Sequence, residues 1–212
     1  MAKIGILGGS FNPIHAGHMR MAVDARETVG LDRVLLLPVG EAPHKPQDGM
    51  LPFAHRLRLV ELAVRGVNGL SASGMEGNRP GPSYTLDTLL ALREKMPGDE
   101  LWFILGSESF RSLAIWHRGL EIHGMCSLVV IVRAGDTVES LTEFARATWP
   151  GTGLVGEDEL RLPSGTSLRF VHMPVLEVSS SDCRRRWSYE PSRGRVVPLG
   201  GEGQRARVGT AD

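Results

Sequence analysis

Short apolar runs alternate along the chain with longer segments whose apolar residues recur every three or four positions. This alternation predicts strands and helices in turn, and therefore an α/β fold in which helices cover both faces of a parallel sheet. The runs that predict strands are 3–7, 32–39, 69–73, 100–106, 126–135 and 167–175. The segments that predict helices are 17–29, 53–66, 82–96 and 140–148, with a further short helix within 178–187.

Two segments lack either periodicity. Residues 150–167 are rich in glycine and predict an irregular insertion, and the pattern fails again after Trp187. We therefore expect one domain over residues 1–187. The remaining residues, 188–212, predict a flexible C-terminal tail, because glycine is frequent there and apolar residues are few.

The turn after the first strand carries the clearest chemical signal. Gly8 and Gly9 have no Cβ atoms, so a phosphate can approach their backbone N–H groups, and the helix that follows adds the positive end of its dipole. His15 and His18 are three residues apart, a spacing that places both imidazoles on one helix face as donors to phosphate oxygens. A zinc site would need a third ligand; His44 is available, but no carboxylate or cysteine lies at a suitable spacing, so we expect no metal bound by the protein itself.

The segment VSSSDCRRR near the end of the predicted domain offers further contacts for an anion. Ser179 or Ser181 is a suitable N-cap for a short helix, and Arg184 is placed to bind a phosphate as a two-pronged donor. Ser83 is likewise a suitable N-cap for the helix predicted over 82–96. Ligands of open parallel sheets bind at the carboxyl ends of the strands, and these loops follow strands.

Composition excludes some classes of function. Among 212 residues, 24 are Lys or Arg and 24 are Asp or Glu, so no net basic charge indicates a nucleic-acid partner. The apolar runs are shorter than the roughly 20 residues of a membrane span, and we expect no membrane partner. Cys126 and Cys183 are too few for a disulfide scaffold and predict reduced thiols in the cytoplasm. A homo-oligomer is compatible with this composition.

The stretch GGSFNPIHAGH at 8–18 resembles the first signature of the HxGH nucleotidyltransferase superfamily, and VSSSDCRRR resembles its second. The resemblance implies a Rossmann-like doubly wound sheet and in-line adenylyl transfer from ATP without a covalent intermediate. It also implies Mg²⁺ that arrives with ATP. The residues that it assigns to ATP binding are Gly8, Gly9, Ser10, Phe11, His15, His18, Ser181 and Arg184.

The middle of the chain resembles the nicotinate-mononucleotide adenylyltransferases in three stretches, APHKP at 42–46, GPSYTLDTL at 81–89 and FILGSESFRSLAIW at 103–116. The resemblance implies that Trp116 stacks on the pyridine ring and that Thr85 faces its carboxylate. Glu108 stands where that family usually has aspartate. The implied acceptor contacts are His44, Lys45, Ser83, Tyr84, Thr85, Glu108 and Trp116, and the implied catalytic residues are His15, His18, Lys45 and Arg184.

Three other functions remain open at this point. The same chemistry could act on nicotinamide mononucleotide or on pantetheine phosphate, although the Pro-Ser-Tyr-Thr stretch argues against the second. The fold could instead serve as a nucleotide-binding module without catalysis, but both signatures keep their charged residues. An aminoacyl-tRNA synthetase fragment is disfavoured, because no anticodon-binding portion fits within this length.

Overall fold

An eight-stranded sheet forms the centre of the computed structural model, which describes residues 1–43, 49–174, 176–190 and 195–198. Its strands, in chain order, are β1 (Lys3–Gly9), β2 (Arg33–Pro38), β3 (Leu70–Ala72), β4 (Glu100–Gly106), β5 (Ser127–Val132), β6 (Gly153–Gly156), β7 (Glu159–Arg161) and β8 (Ser167–His172). Their spatial order is β3-β2-β1-β4-β5-β8-β7-β6. The first six in that order are parallel, whereas β7 and β6 are antiparallel to their neighbours.

Helices cover both faces of this sheet. They are α1 (Ala16–Val29), α2 (Phe53–Val64), α3 (Thr85–Lys95), α4 (Ser107–Arg111), α5 (Val138–Thr148) and α6 (Ser180–Arg186). Short 3₁₀ helices span Met75–Asn78, Leu113–Ile115 and Gly119–Gly124. The strand order reverses between β1 and β4, which confirms the predicted doubly wound sheet and places a ligand crevice beyond the carboxyl ends of these two strands.

The core has two layers because side chains alternate across each strand. Ile6 of β1 and Phe103 of β4 belong to the layer under α3 and α5, whereas Leu7 and Ile104 belong to the layer under α1 and α2. Both faces of the central strands are therefore buried, as expected for a parallel sheet between helices. The near-continuous apolar runs that predicted these strands follow from this burial.

The structure differs from the sequence-based expectations at three places. The segment 150–167 contains the hairpin of β6 and β7, whose four β6 residues are all exposed and so lack an alternating pattern. Helix α3 begins at Thr85 with Tyr84 at its N-cap position, so the prediction that Ser83 caps it is wrong. Beyond α6, β9 (Trp187–Glu190) pairs with β10 (Arg195–Pro198) within the segment expected to be a flexible tail. Residues 199–212 lie outside the described part of the chain.

Candidate active site

The turn after β1 holds its backbone open beside a buried aromatic ring. Phe11 is 1% exposed and has a φ of 44°, an uncommon value for a residue other than glycine. A Cβ on Gly9 would lie 3.2 Å from Cε1 of Phe11, so any larger residue there would push this ring away from its place under the turn. The ring then meets His18 edge-on, with centroids 5.0 Å apart.

The two histidines of the first signature form a stacked pair. His15 is the N-cap residue of α1, and its ring centroid lies 3.8 Å from that of His18. The backbone N–H of His15 donates to Nδ1 of His18 at 3.3 Å, which assigns the proton of a neutral His18 to Nε2. A Cβ on Gly17 would lie 3.0 Å from Cε1 of His15, so the glycine between the histidines makes room for the ring.

His15 is adapted to remain neutral beside its partner. Burial lowers its pKa, the charge of Arg133 lowers it further, and Asp182 acts in the opposite direction. A neutral ring can stack on His18 without repulsion between like charges. His18, and not His15, lines the larger cavity described below.

Helix α6 attaches the second signature to the turn of the first. Ser180 Oγ donates to the carbonyl of Pro13 at 2.8 Å, and Arg184 Nη1 donates to the carbonyl of Asn12 at 2.7 Å. A second nitrogen of Arg184 donates to Ser181 Oγ at 3.0 Å. The sequence offered Ser179 or Ser181 as the N-cap of this helix. In the structure Ser179 is the cap, because its Oγ accepts the backbone N–H of Asp182 at 3.1 Å.

A buried arginine braces the same turn from the other side. Arg56 is 2% exposed, and its guanidinium donates to the carbonyls of Ser10 at 2.8 Å, Leu51 at 2.9 Å and Gly40 at 3.2 Å. Burial lowers its pKa, while Glu76 raises it. Arg56 was not among the site residues predicted from the sequence. The sequence nevertheless contained a signal for it. Arg56 stands four positions before Val60 and therefore lies on the same, buried face of α2, where a charged residue is unusual.

Two cavities open at the carboxyl ends of β1 and β4. The larger, of about 610 Å³, extends from the Gly-Gly turn to α6. Its lining includes the following residues predicted to bind ATP: Gly8, Gly9, Ser10, Phe11, His18, Ser181 and Arg184. The smaller, of about 480 Å³, is lined by five predicted acceptor contacts, which are Ser83, Tyr84, Thr85, Glu108 and Trp116. The other two, His44 and Lys45, lie outside the described residues.

The smaller cavity has the polar groups and the aromatic faces of a binding site for a ring that carries an anion. Helix α3 begins at its wall, and no side chain caps that end of the helix. Ser83 is 7% exposed, and its Oγ has no hydrogen-bond partner among the described residues. The ring of Trp116 lies edge-on to Phe103, with centroids 6.4 Å apart. Unsatisfied donors beside an aromatic ring favour an anionic aromatic ligand.

Arg133 is a cavity residue that the sequence analysis missed. It directly follows β5, its backbone N–H donates to Ser107 Oγ at 3.3 Å, and it lines the larger cavity. A Cβ on Gly106 would lie 3.1 Å from its Nε, so this glycine accommodates the side chain. No described residue forms an ion pair with its guanidinium. Its position at the carboxyl end of a central strand was the available signal.

The described residues contain no group of three or more His, Cys, Asp or Glu side chains that could hold a metal ion. None of the helices in the described part of the chain is long and apolar enough to cross a membrane. Both cysteines are free thiols, and burial raises the pKa of Cys126 to about 12.

Comparison with known proteins agrees with this geometry. The model of the cytidylyltransferase-like family matches residues 6–186. A probable nicotinate-nucleotide adenylyltransferase of Trichlorobacter lovleyi is 42% identical over 197 residues, 92% of each chain. One of Geobacter sulfurreducens is 47% identical over 184 residues, 86% of this chain and 85% of the relative. Nicotinic acid mononucleotide adenylyltransferase of Plasmodium falciparum, solved with NaAD, shares the fold at a TM-score of 0.68 and 18% identity, covering 88% of this chain and 84% of that one.

Proposed function

The chain belongs to the nicotinate-nucleotide adenylyltransferases of the cytidylyltransferase-like family, and from this we infer the reaction at its two cavities. It is an enzyme of NAD biosynthesis that transfers the adenylyl group of ATP to nicotinate mononucleotide. The products are deamido-NAD and pyrophosphate. The acceptor's phosphate oxygen bonds to the α-phosphorus of ATP as the bond to the bridging oxygen breaks, and pyrophosphate leaves.

The observation that carries this proposal is the junction of the two cavities. Gly8, Gly9 and Ser10 line both of them. With ATP in the larger cavity and the mononucleotide in the smaller, the α-phosphate of ATP and the phosphate of the acceptor would meet over the exposed backbone of this turn. Direct attack then needs no covalent enzyme intermediate, because positioning and charge stabilisation supply most of the catalysis in such transfers.

The hydrogen-bond donors of the larger cavity would stabilise the phosphates of ATP. His18 donates from Nε2, and Arg133 brings a guanidinium that has no ion-pair partner among the described residues. Arg184 already donates to Asn12 and Ser181, so it both holds the turn and lies at the cavity wall. Lys45, which lies outside the described residues, remains a predicted contact of the same phosphates.

The walls of the smaller cavity fit the acceptor. Trp116 offers a face to the pyridine ring, and the start of α3 at Thr85 offers backbone N–H groups to its carboxylate. Ser83 Oγ can complete this anion site, since a buried hydroxyl without a partner gains most from a ligand. Glu108 lines both cavities and can accept a hydrogen bond from a ribose hydroxyl. His44 is predicted to contact the same acceptor and lies outside the described residues.

Mg²⁺ is proposed to enter with ATP as part of the substrate. The described residues offer single carboxylates at the cavities and no cluster of oxygen ligands. Mg²⁺ commonly binds through substrate phosphates and waters, so this donor set suits an ion carried by the nucleotide. The ion would neutralise charge on the phosphates of ATP. A cytoplasmic location, suggested by the free thiols, and a homo-oligomeric state both stay predictions.

The first test is pyrophosphate release with ATP and Mg²⁺, comparing nicotinate mononucleotide, nicotinamide mononucleotide and pantetheine phosphate as acceptors. We expect the highest kcat/KM with the acid, because the start of α3 and Ser83 favour an anion on the ring. A preference for pantetheine phosphate would contradict the assignment of the smaller cavity. Nucleotide binding without release from any acceptor would indicate a binding module.

A further inference from the structure

One histidine at the acceptor cavity has no role in the reaction as described. His117 follows Trp116 on the cavity wall, and its ring stacks on that of Tyr84, with centroids 4.3 Å apart and planes inclined by 35°. The residue is exposed. No described residue forms a hydrogen bond or an ion pair with its ring nitrogens. These nitrogens therefore remain available to a ligand in the cavity.

The stack brings the imidazole to the start of α3. Tyr84 occupies the N-cap position of this helix, and its side chain does not cap the helix. The backbone N–H groups of the first turn and the partnerless Oγ of Ser83 thus lie beside the same cavity wall. Both features favour an anion, and a protonated imidazole next to them increases the positive potential of the site.

Charged groups of four elements surround the stacked pair. They are Glu76 of the first 3₁₀ helix, Asp87 of α3, Glu108 of α4, and Arg118 and Glu121 on the segment that follows His117. Arg118 and Glu121 pair at 2.6 Å, and Asp87 lies 3.8 Å from Arg79. The Arg118 hydrogen bond lowers the pKa of Glu121, and the charge of His117 lowers it further. Glu76, Asp87 and Glu121 already have partners, so these carboxylates compete weakly for the imidazole.

We propose that His117 selects the acid acceptor over its amide by donating a ring N–H to the carboxylate on the pyridine ring. The inference rests on the proposed function, because it takes the ring of nicotinate mononucleotide to lie on Trp116. A carboxylate accepts a charge-assisted hydrogen bond at either oxygen, whereas a carboxamide has one neutral acceptor oxygen and an NH₂ group that faces the other donors of the site as a like donor.

The test compares kcat/KM for nicotinate and nicotinamide mononucleotides. The ratio of the two values cancels every group that both acceptors share, including their phosphates and the histidines of the ATP site. In the unaltered enzyme the ratio favours the acid. His117→Phe keeps a ring on Tyr84 but removes the donors, so its ratio falls about tenfold.

Two further variants separate recognition from packing. His117→Gln keeps an N–H donor without a charge, and we expect it to retain part of the preference for the acid. His123→Phe is the matched control, since His123 also stacks on an aromatic ring, Trp149, but lies outside both cavities. Its ratio should equal that of the unaltered enzyme.

Two results would overturn the proposal. An unchanged ratio in His117→Phe would exclude contact with the carboxylate, and an equal loss with both acceptors would show that the ring only supports Tyr84. Failure of the proposed function looks different, because the unaltered enzyme would then form no dinucleotide from either acceptor.

Discussion

At the scale of single residues, the site depends on how tightly side chains pack around glycines. Gly9 leaves space for Phe11, Gly17 for His15, and Gly106 for Arg133. Each of these glycines thus makes room for one side chain at or next to the larger cavity. Within the first signature, Gly9 and Gly17 lack a Cβ atom and so leave the space that the rings of Phe11 and His15 occupy.

Replacing Gly17 with alanine tests this pairing. The new Cβ would lie 3.0–3.1 Å from two atoms of His15, so the ring must shift and His18 with it. Alanine also stabilises a helix by about 1 kcal/mol relative to glycine, so the free energy of unfolding should not fall. We expect kcat to drop about tenfold or more, because a misplaced donor loses transition-state stabilisation. Thermal unfolding and steady-state rates measure the two effects.

Gly98→Ala is the control for Gly17→Ala, since a Cβ on Gly98 meets nothing within 4 Å. It should leave both rate and unfolding temperature unchanged. If Gly17→Ala also kept the full rate, the position of the histidine pair would not depend on this glycine.

His18→Ala separates turnover from acceptor binding. His18 donates where charge grows on the phosphates, so its loss should reduce kcat by about two to three orders of magnitude. The KM for nicotinate mononucleotide should change little, because His18 lines only the larger cavity. Steady-state kinetics at saturating ATP, with His123→Ala as reference, measure both. A rise in acceptor KM as large as the fall in kcat would refute this role.

At the scale of elements, α6 is held to the β1–α1 turn by side-chain contacts. Ser180 and Arg184 donate to the carbonyls of Pro13 and Asn12, and Asn12 in turn accepts from the backbone of Leu51 at 2.9 Å. Three segments that are distant in sequence are thereby held together at one side of the larger cavity. Because α6 has no fully buried residue, these hydrogen bonds contribute much of its attachment.

Ser180→Ala removes one of these hydrogen bonds and leaves the helix sequence otherwise intact. A hydrogen bond of this kind contributes about 0.5–1.5 kcal/mol, so KM for ATP should rise by up to about tenfold while KM for the acceptor stays constant. Ser164→Ala is the matched control, because Ser164 Oγ also donates to a backbone carbonyl, that of His123, away from both cavities. An unchanged KM for ATP in Ser180→Ala would mean that α6 is positioned by other contacts.

At the scale of the whole molecule, apolar periodicity was sufficient for the central sheet, since strands buried on both faces are continuous apolar runs. It failed at β6, an edge strand without buried residues, and at β9 and β10, which within the described residues form a separate two-stranded sheet. The stretch GGSFNPIHAGH predicted residues that line the larger cavity, because most of its residues are contiguous at that turn. Arg56 and Arg133 were missed because the role of a single arginine depends on the elements that fold around it, and these contacts are not visible in the sequence.

The hydrogen bond between Arg184 and Asn12 joins residues 172 positions apart, so this contact at the larger cavity can form only after residue 184 has been synthesised. A nascent chain can form β1, α1 and most of the sheet while α6 is still inside the ribosome. Such a chain would have the first signature but would lack the side of the larger cavity that α6 forms. We therefore expect it to bind ATP weakly until α6 has emerged and docked.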